Sequence, residues 1–310
     1  MPIPNSIFTM NPDWEMILFG ALYVIFSVPL IPLQIVVMMA LHNKEKSTKN
    51  ATFKLMNLLN SLEIGHIFCH FLSSFFLFFP VLVEEYEVFV RVIGAALNTF
   101  WIAELPIMAL LAVSRIFIFQ SSKHMFSSRP EKLALIAKIV LSIILSWMLF
   151  VFLTGCITQN FMFYPPSWQY DMNAPYAPLF SKLEIITVST SLGISYFSYL
   201  VITYLIYVQK KQGASSSSSK TNERSILIQY TFTVTYIMVY LILWHFGRDW
   251  FNMDTPGDLA FVNCFWIGGA YISPVTLLIL NISIRKECKM IIKCKNEKTV
   301  SVTWITTATS

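Results

Sequence analysis

Seven runs of apolar residues, at roughly 16–41, 55–80, 91–119, 134–159, 182–208, 226–246 and 259–282, constrain this chain more than anything else in it. The hydrocarbon core of a bilayer takes about 20 apolar residues as a helix, and each run is long enough. Within hydrocarbon every backbone polar group needs an internal partner, so only helices and closed barrels qualify. None of the runs alternates as a barrel strand does, which leaves helices. Charge content agrees: 13% of residues are charged, against about 25% in a soluble domain. The gaps between runs are too short for a separate soluble domain. The expectation is one all-α, polytopic seven-transmembrane bundle over 1–310, with a tail from 283 to 310.

The basic residues orient it. Lys44, Lys46, Lys49 and Lys54 fill the first gap, Lys123, Arg129 and Lys132 the third, and Lys210, Lys211, Lys220 and Arg224 the fifth. Six more lie in the tail. The 81–90 and 160–181 gaps hold none, and 247–258 holds only Arg248. The positive-inside rule then puts the amino terminus outside and the tail in the cytoplasm. A net charge of +5 therefore reads as a topology signal, and no nucleic-acid partner is expected. The first run follows Asp13 and Glu15 and is too long for a signal-peptide core, so it is expected to stay in the membrane. The glycosylation-type triplets at Asn50 and Asn281 fall on the cytoplasmic side and are expected to go unused.

Polar residues inside the runs are expensive in lipid and so point into the bundle. In the second run Asn57, Asn60, Glu63, His66 and His70 recur at helical spacing on one face. Three readings stay open for them: a metal site built from Glu63, His66 and His70, a buried functional network, or plain interhelical hydrogen bonds. In the third run Glu104 and Arg115 lie three turns apart, about 16 Å along the axis, so they cannot pair with each other. Glu104 is at the depth of Glu63, and the two carboxylates are expected to meet and share a proton or a cation. Arg115 lies one turn from the cytoplasmic edge, within reach of water or a partner protein.

Asn98 and Trp101 lie outward of Glu104, where they are expected to line an outer cavity with His70, Trp244, His245 and Trp266. The 160–181 gap is rich in proline and aromatics and carries one acid and no base. It reads either as a stiff lid over the bundle mouth or as an aromatic belt at the interface. The serine-rich 209–225 gap reads as a flexible basic linker. Pro29 and Pro32 are expected to kink the first span, and Ser273-Pro274 to hinge the seventh. The start of the tail mixes Ile284, Ile291 and Ile292 with basic residues and is expected to form a short amphipathic helix on the lipid surface. Cys288 and Cys294 there are candidate palmitoylation sites. Cys69, Cys156 and Cys264 read as small apolar packing residues.

Leu111-Ala112-Val113-Ser114-Arg115 at the inner end of the third run resembles the motif of nematode serpentine chemoreceptors, a divergent group of G-protein-coupled receptors. Ser273-Pro274, Asn281 and Arg285-Lys286 are similar to the end of the seventh span in that group, Trp147 to the tryptophan of the fourth, and Leu62-Glu63 to the buried acid of the second. Three departures stand beside these. Ser114 replaces asparagine before the arginine, no proline follows Trp244, and no cysteine pair ties the third span to the second outer loop. They argue against a mainstream amine or peptide receptor of the rhodopsin-like kind.

The resemblance implies a plasma-membrane receptor of sensory cilia, acting in olfaction or another chemical sense. It implies a small-molecule or odorant ligand in the outer half and a heterotrimeric G protein engaging Arg115. Glu63, Glu104, Ser273 and Asn281 would form the polar core between them. No cofactor, resident metal or enzymatic activity is implied. The other reading is a transporter, or a metal-dependent membrane enzyme using Glu63, His66 and His70.

Overall fold

Pro29 and Pro32 lie a turn apart, and the first span folds around them as two helices, α1 (Trp14–Ser27) and α2 (Leu30–Thr48). Proline supplies no N–H to the ladder and crowds the preceding turn, so a bend there is the expected result. The computed structural model describes residues 7–48, 51–121, 130–211 and 217–293, with side chains described over 7–47, 52–117, 135–208, 231–247 and 249–293. The chain continues through α3 (Ala51–Phe78), the short α4 (Val81–Glu85), α5 (Glu87–Ser121) and α6 (Pro130–Thr158). Then come the strands β1 (Phe161–Tyr164) and β2 (Ser167–Tyr170), followed by α7 (Ala177–Lys211), α8 (Ser217–Phe251) and α9 (Pro256–Leu280). A tail helix, α10, runs over 282–293.

Six stretches are long and apolar enough to cross a membrane: Trp14–Ser47, Thr52–Phe78, Glu87–Phe117, Leu135–Thr158, Ala177–Val208 and Pro256–Leu280. In α8 the described apolar part is Thr231–Gly247. Each of the seven expected runs falls on one of these segments. The helices overrun the runs on the charge-rich side. With α7 reaching Lys211 and α8 starting at Ser217, most of the expected 209–225 linker is helical.

α5 is the central post, packed against α3, α6 and α7. Its most apolar window is 61% buried, against 11% for α6, which therefore stands at the periphery. Close approach of α3 to α5 depends on Gly65, where an added Cβ would lie 2.6 Å from the ring of Phe100. At the amino end of α9, Thr255 and Asp258 form a reciprocal capping box that satisfies two orphan N–H groups.

The all-α expectation stands, with one short hairpin beside the helices. Residues 161–170 form an antiparallel hairpin, registered Phe161↔Tyr170 through Tyr164↔Ser167, with the turn at Pro165-Pro166. It closes the bundle end that the charge pattern assigns to the outside, so the lid reading holds for its strands. Trp168 is fully buried and donates from Nε1 to Ser73 Oγ at 2.7 Å, while Tyr23 donates to the Pro166 carbonyl at 2.6 Å. A Cβ on Gly94 of α5 would lie 2.7 Å from the Trp168 ring and 2.8 Å from the Phe161 carbonyl oxygen. Only glycine lets the hairpin seat this close. Gly94→Ala should displace it at a cost of about 1–3 kcal/mol, as overpacking does. Exposure of Trp168 would appear as a red shift in its fluorescence, and an unshifted spectrum with unchanged stability would contradict the seating.

Asn281 does not join the polar core. Its side-chain oxygen accepts from the backbone N–H groups of Ser283 at 3.1 Å and Ile284 at 3.1 Å, capping α10. Ile284, Cys288 and Ile291 then turn to the bundle at helical spacing, while Lys289, Met290 and Ile292 are exposed. Cys288 is 4% exposed and packs there as a small apolar side chain. Cys294 lies outside the described residues.

Candidate functional site

Three layers of side chains line the bundle from the hairpin end inward. The outermost is a cavity of about 470 Å³ beneath the hairpin, walled by Trp168, Tyr170, Trp244, His245, Met253 and Asp254 among others. That size suits a small organic ligand. Its walls come from β2 and from the outer ends of α7, α8 and α9, so the hairpin's docking decides its shape.

Tyr170 ties this layer to the next. Its hydroxyl accepts from Asn98 Nδ2 at 2.9 Å and pairs with the Glu184 carboxylate. Burial, with Glu184 beside it, pushes the phenol's pKa well up, so the hydroxyl stays a neutral donor at physiological pH. Trp101 Nε1 donates to the same carboxylate at 3.0 Å. Together these bonds fasten α5, the hairpin and α7 to one another around Glu184.

The middle layer is aromatic. Trp101, Tyr240, Trp244 and Trp266 surround one another with ring centroids 5.2–6.0 Å apart, the spacing of favourable edge and offset contacts. His66 and His70 pack on Trp266 from the α3 side, at 4.9 and 4.8 Å. Beneath these rings lies a second cavity of about 20 Å³, lined by Trp101, Tyr240, Trp266, His66 and Glu104 among others. It has room for one water-sized group. Trp244 borders the outer cavity and contacts Trp266 and Tyr240, which border the inner one, so its ring stands between the two.

Glu63 and Glu104 do not bond to each other. Glu63 accepts from Gln34 Nε2 at 2.8 Å and pairs with Ser273, which joins α2, α3 and α9. Gln34 Nε2 also donates to the Ala270 carbonyl at 3.0 Å, and the backbone carbonyl of Gln34 accepts from Asn60 Nδ2 at 3.0 Å. Glu104 faces His66 instead, with Oε2 3.9 Å from Nδ1. The imidazoles of His66 and His70 meet Nε2 to Nε2 at 3.0 Å, a contact with room for one proton between them. His66 and His70 meet each other while Glu63 turns to Gln34 and Ser273, so the three do not converge on one point. Among the described residues no group of three His, Cys, Asp or Glu side chains could hold a metal ion.

The innermost layer is Arg115, 8% exposed, with Nη2 3.8 Å from the Met56 sulfur on α3. The open cytoplasmic position expected for it is not the one found, because α3 covers it. Of the residues expected to line a ligand pocket, Trp244 and His245 border the outer cavity, and Trp101 and Trp266 the inner one. Asn98 holds the hairpin and His70 lies behind Trp266. Gln34 and Glu184 escaped the sequence reading as members of the site. Gln34 was visible as a lone amide in an apolar run, whereas nothing in the sequence pointed Glu184 at Trp101.

Residues 5–301 match the family model described as Serpentine type 7TM GPCR chemoreceptor Srt. No curated protein matches the chain.

Proposed function

This chain belongs to the Srt family of serpentine seven-transmembrane chemoreceptors, and from that premise we propose a G-protein-coupled receptor of the plasma membrane of sensory cilia, with its amino terminus outside. A small-molecule ligand enters the cavity beneath the hairpin and meets the aromatic layer of Trp101, Tyr240, Trp244 and Trp266. A heterotrimeric G protein engages the cytoplasmic end at Arg115. One observation carries this reading: α5 bears a hairpin contact at Asn98, the aromatic layer at Trp101 and the covered arginine at Arg115. A ligand that shifts α5 at one end therefore biases the other, and it does so by the difference in its affinity for the two states. Glu63, Gln34 and Ser273 hold α2, α3 and α9 together as the fixed side of that movement. The broken ladder at Pro274 gives α9 a place to bend.

The test is nucleotide exchange on a G protein added to membranes that contain the receptor, read against a panel of small molecules. Ligand-evoked exchange is the expected result. Solute uptake into proteoliposomes with no exchange for any compound would replace the receptor with a transporter.

A further inference from the structure

The inner cavity has a distinctive lining. It brings one carboxylate and one imidazole among four large rings, Trp101, Tyr236, Tyr240 and Trp266, and no lysine or arginine lines it among the described residues. Glu104 is 7% exposed and makes no hydrogen bond among the described residues, its ion-pair contact being His66 at 3.9 Å, beyond hydrogen-bond reach. Of the other buried carboxylates among the described residues, Glu63 accepts from Gln34 and Glu184 from Trp101, each through one oxygen. A carboxylate left without a bonded partner inside a bundle is costly, and such groups mark the place where something else binds.

We propose that this cavity receives the ammonium head of a small organic cation, with Glu104 as its counter-ion; this rests on the receptor reading above. About 20 Å³ fits one water-sized group, which an ammonium is. Cations are drawn to the faces of tryptophan and tyrosine rings, and the attraction grows when water is excluded. The body of the ligand lies in the outer cavity of about 470 Å³, with the ring of Trp244 displaced to let the head through. The outer surface has the matching sign. Glu84, Glu85 and Asp254 lie on that side, and the 81–90 and 160–181 segments carry no basic residue, so cations are concentrated at the mouth. The departures that separate this chain from mainstream amine receptors concern motifs elsewhere in the helices and leave this lining untouched.

The experiment uses three probes of one shape: phenethylamine, phenethyl alcohol and phenylacetate. Binding to the purified full chain is measured by competition or calorimetry, and G-protein exchange is measured in parallel. Phenethylamine should bind at least about tenfold tighter than the alcohol, because a site built for a charged hydrogen-bonding group rejects its neutral analogue. Glu104→Gln, which keeps the shape, should erase that preference. Equal or tighter binding of the alcohol or the acid, an amine preference that survives in Glu104→Gln, or no binding of any probe would each overturn the assignment. If Glu104→Gln fails to fold, the ranking of the three probes on the native chain still decides. Amine binding without exchange would leave the cation site standing and overturn the receptor reading. Exchange evoked by the alcohol or the acid alone would do the opposite.

Discussion

Arg115→Ala is expected to abolish ligand-evoked exchange while leaving the receptor at the cell surface at normal density. The two halves of that result have separate causes. Arg115 sits at 8% exposure near the inner end of α5, with Nη2 3.8 Å from the Met56 sulfur of α3. Trimming one side chain near the inner end of α5 leaves the packing of the helix above it in place, so folding should not suffer. Coupling should. A guanidinium at a protein interface typically contributes about 2–5 kcal/mol when truncated, a loss of roughly thirtyfold or more. Because α3 covers Arg115 in this structure, the arginine reaches a partner only when the inner ends of α3 and α5 move apart. Met56→Ala loosens that cover and should raise exchange in the absence of ligand. Surface density is read by antibody labelling and exchange by nucleotide uptake. Unchanged ligand-evoked exchange in Arg115→Ala would remove the arginine from the mechanism, and lowered basal exchange in Met56→Ala would remove the cover.

How far the sequence could see is best judged residue by residue. The spans were legible because hydrophobic length is a local property, and the Pro29–Pro32 bend because proline acts on its own turn. Depth was legible too: Glu63, Glu104 and Arg115 lie in the order along the bundle that residue counting assigns. Partners were not. Glu63 and Glu104 share a depth, yet each turns to a neighbour set by helix rotation, Gln34 for one and His66 for the other. Rotation depends on packing at positions such as Gly65 and Phe100, which no single run encodes. The hairpin was hidden for another reason. Phe161–Tyr164 alternates in burial but is apolar or aromatic at every position, so the sequence carries no polar alternation there to read. Paired aromatic runs flanking Pro165-Pro166 were the available signal. Asn281 reads as a core polar residue until the next helix is known, after which it is a cap.

Arg91 is the last such case, since a sequence reading counts it merely as the first residue of the third run. In the structure it closes the hairpin at both stems. Nη1 donates to the Gln159 carbonyl just before β1, and Nη2 pairs with Asp171 Oδ2 at 3.0 Å just after β2. Glu87, one turn earlier on α5, steadies the guanidinium at 2.7 Å. This clamp joins the hairpin end of the third span to the loop after the fourth, the connection that a cysteine pair makes in most rhodopsin-like receptors and for which the 160–181 segment has no cysteine. Arg91 and Asp171 are 11% and 14% exposed, so their pairing lies between the surface and the buried limits, and Arg91→Ala should cost roughly 1–3 kcal/mol. A chain this long loses about 2–6 °C of Tm for that change. Because Trp168 and Tyr170 wall the outer cavity from the clamped strand, the same variant should also weaken the most potent agonist by about tenfold, the equivalent of 1.4 kcal/mol. Asp171→Ala should match it, and the double variant should be little worse than either, since the two act as one unit. Exchanging the charges, Arg91→Asp with Asp171→Arg, should recover part of the loss. Additive losses in the double variant would mean that the hairpin is held by its buried tryptophan alone and that the ionic clamp is incidental.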